Sequence, residues 1–272
     1  MRHVSFSFFR YRTTHVPSAF VLMGFQGLFK GEEAASGNLK LMGCGGDGGF
    51  SLLPDLKTYC LVCLLDDPTR MDAIRDTRLY RWVSRPAVEQ LHFQLTPLSG
   101  HGTWDGREVF DYAGNQDPER PFVVLTRARV KASRVLDFWR AVPRVRTDLR
   151  DHPGCGYAQG IGEYPLLSLA TFSVWGSLDQ MRTFAYRDSP HHETVRSARR
   201  DQWLSESLFT RLALERIDGD VERYPKLERL LQERGRRLRF AEPALDDDIM
   251  QSGLAEQASI GERPSDALAR SA

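Results

Sequence analysis

One order of apolar runs occurs twice in this chain, and that repetition constrains the fold more than any single segment does. Val4, Phe6 and Phe8 alternate with Ser5, Ser7 and Phe9, which predicts a strand ending at Arg10-Tyr11. His15 to Lys30 reads as a helix that is apolar on most sides, and Leu39 to Met42 as a short strand. A near-continuous apolar strand spans Tyr59 to Leu65, and Asp66-Asp67-Pro68 starts a helix through Arg81. Leu91, Phe93 and Leu95 alternate as a fourth strand ending before Gly100. The second half repeats the order: strand Val123 to Lys131, a helix capped by Ser133 and interrupted at Pro143, strands Cys155 to Ile161 and Leu166 to Trp175, a broken helix over 177–203, and a strand over 206–216.

Residues match as well as order. Tyr59-to-Leu65 followed by Met71 and Ile74 parallels Ala170-to-Trp175 followed by Met181 and Phe184. Two βαββαβ units predict an α+β chain of tandem ferredoxin-like repeats, each sheet carrying helices on one face and needing cover on the other. Pairing the two sheets within one chain supplies that cover. The expected boundaries are a first repeat over 1–110, a linker over 111–121, a second repeat over 122–221, and a basic helix with a disordered polar C-terminal tail over 222–272.

The 37 basic and 36 acidic side chains nearly cancel, so no global field favours nucleic acid and none is expected as a partner. No apolar run reaches membrane-spanning length, and no apolar signal core follows a basic start, so a cytoplasmic protein is expected. Four cysteines (Cys44, Cys60, Cys63 and Cys155) fit a reducing compartment.

Gly43-Cys44-Gly45-Gly46-Asp47-Gly48 matches G-x-G-x-x-G in letters, but a strand rather than a helix is expected after it, so a β–β connection is the better reading. Cys60 and Cys63 have C-x-x-C spacing, yet on a strand they point to opposite faces. The remaining candidate is Pro190-His191-His192-Glu193, at a helix start with Ser189 as a potential N-cap. Helical projection puts His191 in line with Val195 and Ala198 and near Trp203, facing inward, and His192 with Arg196 and Arg199, facing solvent. An inward imidazole there could ligate a metal or haem iron, act as a base, or simply bond a backbone carbonyl in the core. Glu163 and Arg140 are secondary candidates for chemistry, each equally readable as an ion-pair member.

Several ordered motifs together resemble the bacterial spheroidene monooxygenases, the acyclic carotenoid 2-ketolases. They are Leu125-Thr126-Arg127-Ala128, Phe138-Trp139-Arg140-Ala141-Val142-Pro143, Gly160-Ile161-Gly162-Glu163-Tyr164-Pro165, Thr171-Phe172-Ser173-Val174-Trp175, Pro190-His191 and Trp203, with Ser5-Phe6-Ser7-Phe8-Phe9-Arg10 and Gly100-His101-Gly102-Thr103-Trp104 in the first half. The resemblance implies an intrachain dimeric α+β barrel and a haem b monooxygenase using dioxygen and reduced ferredoxin. It implies oxidation at C-2 of a lipophilic acyclic carotenoid such as spheroidene, first to hydroxyl and then to keto. It implies His191 as the axial iron ligand, Arg127 or Arg140 against a haem propionate, and Trp203 in the cofactor site. The apolar helix around Phe20 would line a route for a polyene arriving from the membrane, through a peripheral contact at the inner membrane. Self-association into a homodimer stays open. So do two other readings: a cofactor-free or haem oxygenase of the same fold on another lipophilic substrate, and a non-enzymatic binder of haem or a lipophile.

Overall fold

The computed structural model describes residues 3–25, 38–46, 51, 53–67, 71–114, 120–164, 166–186 and 190–237. Residues 1–238 form one compact unit; the expected disorder of the tail lies outside the described residues. Eight strands, β1 (His3–Tyr11), β2 (Asn38–Gly45), β3 (Pro54–Leu65), β4 (Ala87–Gly102), β5 (Phe122–Val130), β6 (Cys155–Tyr164), β7 (Ser168–Trp175) and β8 (Leu204–Gly219), close into an antiparallel barrel. The order around it is β1-β3-β2-β6-β7-β5-β8-β4. Each half therefore contributes a quartet with the same internal order, β4-β1-β3-β2 and β8-β5-β7-β6. The quartets meet along β4–β8 and at a short β2–β6 pairing.

Helices α1 (Val16–Gly24), α2 (Met71–Asp76) and α3 (Arg78–Ser84) belong to the first half, and α4 (Val135–Asp151), α5 (Leu178–Tyr186) and α6 (Pro190–Arg200) to the second. Because helices cover the outer face and the barrel core the inner one, β3 is apolar on both sides. Cys60, Val62 and Leu64 enter the barrel core, while Leu61, Cys63 and Leu65 pack outward with Phe9, Leu79 and Val83. The C-x-x-C pair is thus split across the sheet as expected, and all four cysteines are buried and outside any disulfide.

The barrel is a packed core rather than a channel. Phe6 and Phe93 lie 4.9 and 4.8 Å from Phe172 between ring centroids, and Tyr157 lies 5.5 Å from Phe8. A last helix, α7 (Pro225–Arg237), covers the mouth where β8 ends. Leu227 is fully buried in the barrel core, and Tyr224 packs 5.3 Å from Tyr157.

Four local expectations need correction. β4 continues past Gly100 to Gly102, because a bulge between Pro97 and Ser99 absorbs the proline, and Gly100 lets the Phe209 carbonyl approach where a side chain would collide. The helix after Asp67 is two helices, divided at Thr77, whose hydroxyl donates to the Ile74 carbonyl at 2.7 Å and caps α3 by accepting from Tyr80 N–H at 3.1 Å. Ser133 caps nothing; it sits in a single 3-10 turn ahead of α4. Nor does Pro143 end α4. Phe138 and Val142 before it and Leu149 beyond it are buried, with Val145 partly so, and that packing outweighs a lost backbone bond.

Candidate functional site

Val123 and Leu125 point into the barrel, and the same face of β5 continues to Arg127. A guanidinium only 1% exposed must be compensated by hydrogen-bonded counter-charges. Arg127 donates to Glu163 at 2.8 Å, to Glu206 at 2.7 Å, and to Asp105 and Ser168 at 3.1 Å each. Lys40 pairs with Glu163 at 2.9 Å and Asp105 at 2.6 Å. Arg129 adds a further bond to Asp105 at 2.5 Å. Trp104 donates from its indole nitrogen to Glu163 at 2.8 Å, and its ring lies 5.3 Å from both Lys40 Nζ and the Arg127 guanidinium carbon. Glu206 also accepts from Thr103 and from Gly106 N–H. Asp105 reaches these cations from a left-handed backbone position, φ 54°. The cluster closes the barrel mouth opposite α7.

Its electrostatics favour structure over proton transfer. Burial alone would raise the Glu163 carboxyl, but hydrogen bonds and charge from Arg127 and Lys40 outweigh it and hold the pKa at about 2. Glu206 is likewise held at about 2, where burial is outweighed by Gly106 N–H, Arg127 and Thr103. Carboxylates this acidic stay ionised at neutral pH and are poor general acids.

On the other side of the same sheet, Trp203 is 7% exposed and packs with Val130, Phe138, Trp139, Val142 and Leu169 beneath α4 and α6. Trp139 donates from its indole nitrogen to the Leu166 carbonyl at 3.2 Å, and the Trp203 backbone N–H donates to the Ala198 carbonyl at 2.9 Å. His191 stands in the first turn of α6; its side chain, like Ser189, lies outside the described residues. Ala198 packs on this apolar wall, and Arg196 and Arg199 face solvent, as the helical projection predicts; His192 is half-buried. Arg140, one residue from Trp139, is 76% exposed and lies 3.5 Å from Asp137.

The five residues singled out from sequence therefore fall into two places. Arg127 and Glu163 meet inside the barrel mouth, whereas Trp203, Arg140 and the His191 turn lie on or beyond the outer face. Lys40, Trp104, Asp105, Ser168 and Glu206 were missed. The one sequence signal was Arg127 itself, a charge in phase with inward-facing Val123 and Leu125. Among the described residues, no three histidine, cysteine, aspartate or glutamate side chains gather as a metal site.

No family model matches the chain. Over 186 residues it is 34% identical to the spheroidene monooxygenase of Rhodobacter capsulatus, covering 66% of this chain and 76% of the relative. The Rubrivivax gelatinosus spheroidene monooxygenase is 34% identical over 182 residues, 66% of this chain and 69% of the relative. The crystal structure of an aldoxime dehydratase in complex with butyraldoxime superposes with a TM-score of 0.50 at 12% identity, covering 78% of this chain and 80% of its own, a likeness of fold.

Proposed function

Because the chain belongs to the spheroidene monooxygenase family, we propose that it is a haem-dependent monooxygenase of carotenoid biosynthesis, acting at C-2 of an acyclic carotenoid such as spheroidene. The observation that carries this reading is the 34% identity to two relatives of that name. A carotenoid-modifying monooxygenase follows from the family; haem b, the C-2 position, reduced ferredoxin as donor and a peripheral membrane contact are our finer readings. We also read the matching strand orders of the two quartets as tandem ferredoxin-like repeats closed into a dimeric α+β barrel.

Each round consumes one dioxygen, two electrons and two protons, leaving a hydroxyl on carbon and releasing water. A second round at the same carbon gives a geminal diol, which loses water to become the ketone. Haem b would supply the dioxygen-activating iron.

We seat such a group against the outer face, where Phe138, Trp139, Leu169 and Trp203 pack together as a buried apolar cluster, the dry surroundings that a porphyrin face needs. His191, matching the family's Pro-His position at the α6 start, would hold the iron, and Trp203 would back the ring. Arg127 does not fit a propionate, since it lies across the sheet with its donors on three carboxylates. Exposed Arg140 is the better cation for that role. Glu163, with Arg127, keeps the barrel mouth closed.

The test is an absorption spectrum of protein purified from a haem-supplied host, with product analysis in a spheroidene-accumulating strain. A Soret band lost or shifted in His191→Ala, together with hydroxy and keto products, is expected. Oxygenated product without haem would leave the cofactor-free reading standing, and haem binding without product the non-enzymatic one.

A further inference from the structure

Helix α1 carries no charged side chain, and Ala19 is its one buried residue. Its outer side is left in water: Phe20, Val21 and neighbouring Phe25 are 57%, 55% and 61% exposed. Trp82 on α3 is 62% exposed. Between the two helices runs an open groove of about 920 Å³, whose walls include Tyr11, Val21, Leu22, Phe25 and Trp82. Arg81, Arg85 and His15 supply its basic side chains, and no carboxylate is among its described lining residues. Scattered exposed apolar residues are ordinary, but large rings gathered around one groove with a cationic edge mark an interaction surface.

The chemistry of the face selects the occupant. A protein partner would need polar pairing at the rim, and α1 offers no charged group for it. A second copy would bury the Arg81 and Arg85 charges of both faces in one seam, with no carboxylate among the described groove residues to pair them. Aromatic rings beside guanidinium groups suit the headgroup level of a bilayer, where rings sit among upper acyl carbons and arginines meet lipid phosphates. We propose that the α1–α3 face docks on an anionic lipid bilayer, with Phe20, Val21, Phe25 and Trp82 entering the interface and Arg81 and Arg85 binding phosphate. This deepens the peripheral contact proposed above by assigning it a face.

The test is co-sedimentation of the full chain with vesicles of phosphatidylcholine alone or mixed with phosphatidylglycerol. The parent protein should partition strongly onto the mixed vesicles and weakly onto the neutral ones. The double variants Phe25→Ser/Trp82→Ser and Arg81→Glu/Arg85→Glu should each lose about tenfold or more in partitioning. All four positions line the groove rather than the core, and circular dichroism checks that each variant folds. Failure of the parent to sediment with mixed vesicles overturns the proposal, as does undiminished binding by the aromatic variant or equal binding to neutral vesicles. A parent dimer on gel filtration that Phe25→Ser/Trp82→Ser dissolves would overturn it in favour of self-association. Carotenoid oxygenation in detergent reads the enzymatic proposal separately, so a parent protein that turns over but does not bind mixed vesicles rejects the face alone.

Discussion

Arg127 and Glu163 face each other across the barrel mouth at 2.8 Å, the arginine 1% and the glutamate 11% exposed. Neither charge has enough water to survive without the other. Arg127→Met should therefore cost about 3–5 kcal/mol, because Glu163 and Glu206 would remain buried without their shared cation. Urea denaturation of the two proteins at neutral pH measures the difference. A change within about 0.5 kcal/mol would mean that Lys40 and Arg129 already carry the carboxylates.

The same pair sets an acid dependence. The Glu163 carboxyl is held at about 2 in the folded chain against an ordinary 4.5, so its contribution is complete above pH 4.5 and is lost as pH falls toward 2. Glu163→Gln should be less stable than the parent at pH 7, and the gap should narrow steadily below pH 4.5. Thermal melts of both proteins along a pH series check this; a gap constant with pH would place the cost in packing rather than charge.

His92 gives a second, separate window. Burial first, and then the positive charge of Arg75, lower its pKa from 6.5 to about 4, with Asp218 and Asp220 opposing. Its Nε2 lies 3.4 Å from the Tyr80 hydroxyl, its ring 5.5 Å from Phe9, and its Nδ1 has no hydrogen-bond partner among the described residues. Between pH 6.5 and 4 the unfolded chain binds a proton that the folded one refuses, so stability falls as pH falls through that window and is level above it. The His92 contribution to that fall is on the order of 3 kcal/mol. His92→Leu should flatten the stability profile between pH 6.5 and 4; an unchanged slope would assign it to other groups.

How much of this was legible in the sequence follows from how local each signal is. The double-sided apolar run of β3 and the alternation of β1 report burial at single positions, so the strands and their twofold recurrence could be read directly. Gly100 and Pro143 were misread because both are local stop signals overruled from a distance, by the Phe209 backbone in one case and the packing of Phe138, Val142 and Leu149 in the other. Trp203 was placed correctly as an inward partner of the α6 stripe. The ionic mouth was invisible, since Lys40, Asp105, Arg127, Glu163, Ser168 and Glu206 come from five strands and a loop, and only barrel closure brings them together. Arg127 and Trp203 share a motif list but not a side of the sheet, a distinction that strand parity could have supplied.

The opposite mouth of the barrel rests on α7, the basic helix expected at the start of 222–272. Leu227 is fully buried in the barrel core, and Gly156 on β6 lies so close that a Cβ there would stand 2.9 Å from a Leu230 methyl carbon and 3.2 Å from the Leu227 backbone. Two contrasting variants follow. Leu227→Ala empties a core position and should cost about 2–5 kcal/mol, the range for deleting a buried leucine side chain. Gly156→Val crowds the same junction from the strand side and should push α7 away, leaving Tyr157 and Tyr224 without their contact at 5.3 Å. Limited proteolysis separates the two effects: Gly156→Val should be cut faster within 225–237 while the barrel stays resistant, whereas Leu227→Ala should also lower the global denaturation midpoint. Equal protection of α7 in the parent and in Gly156→Val would show that the helix is not held at this strand.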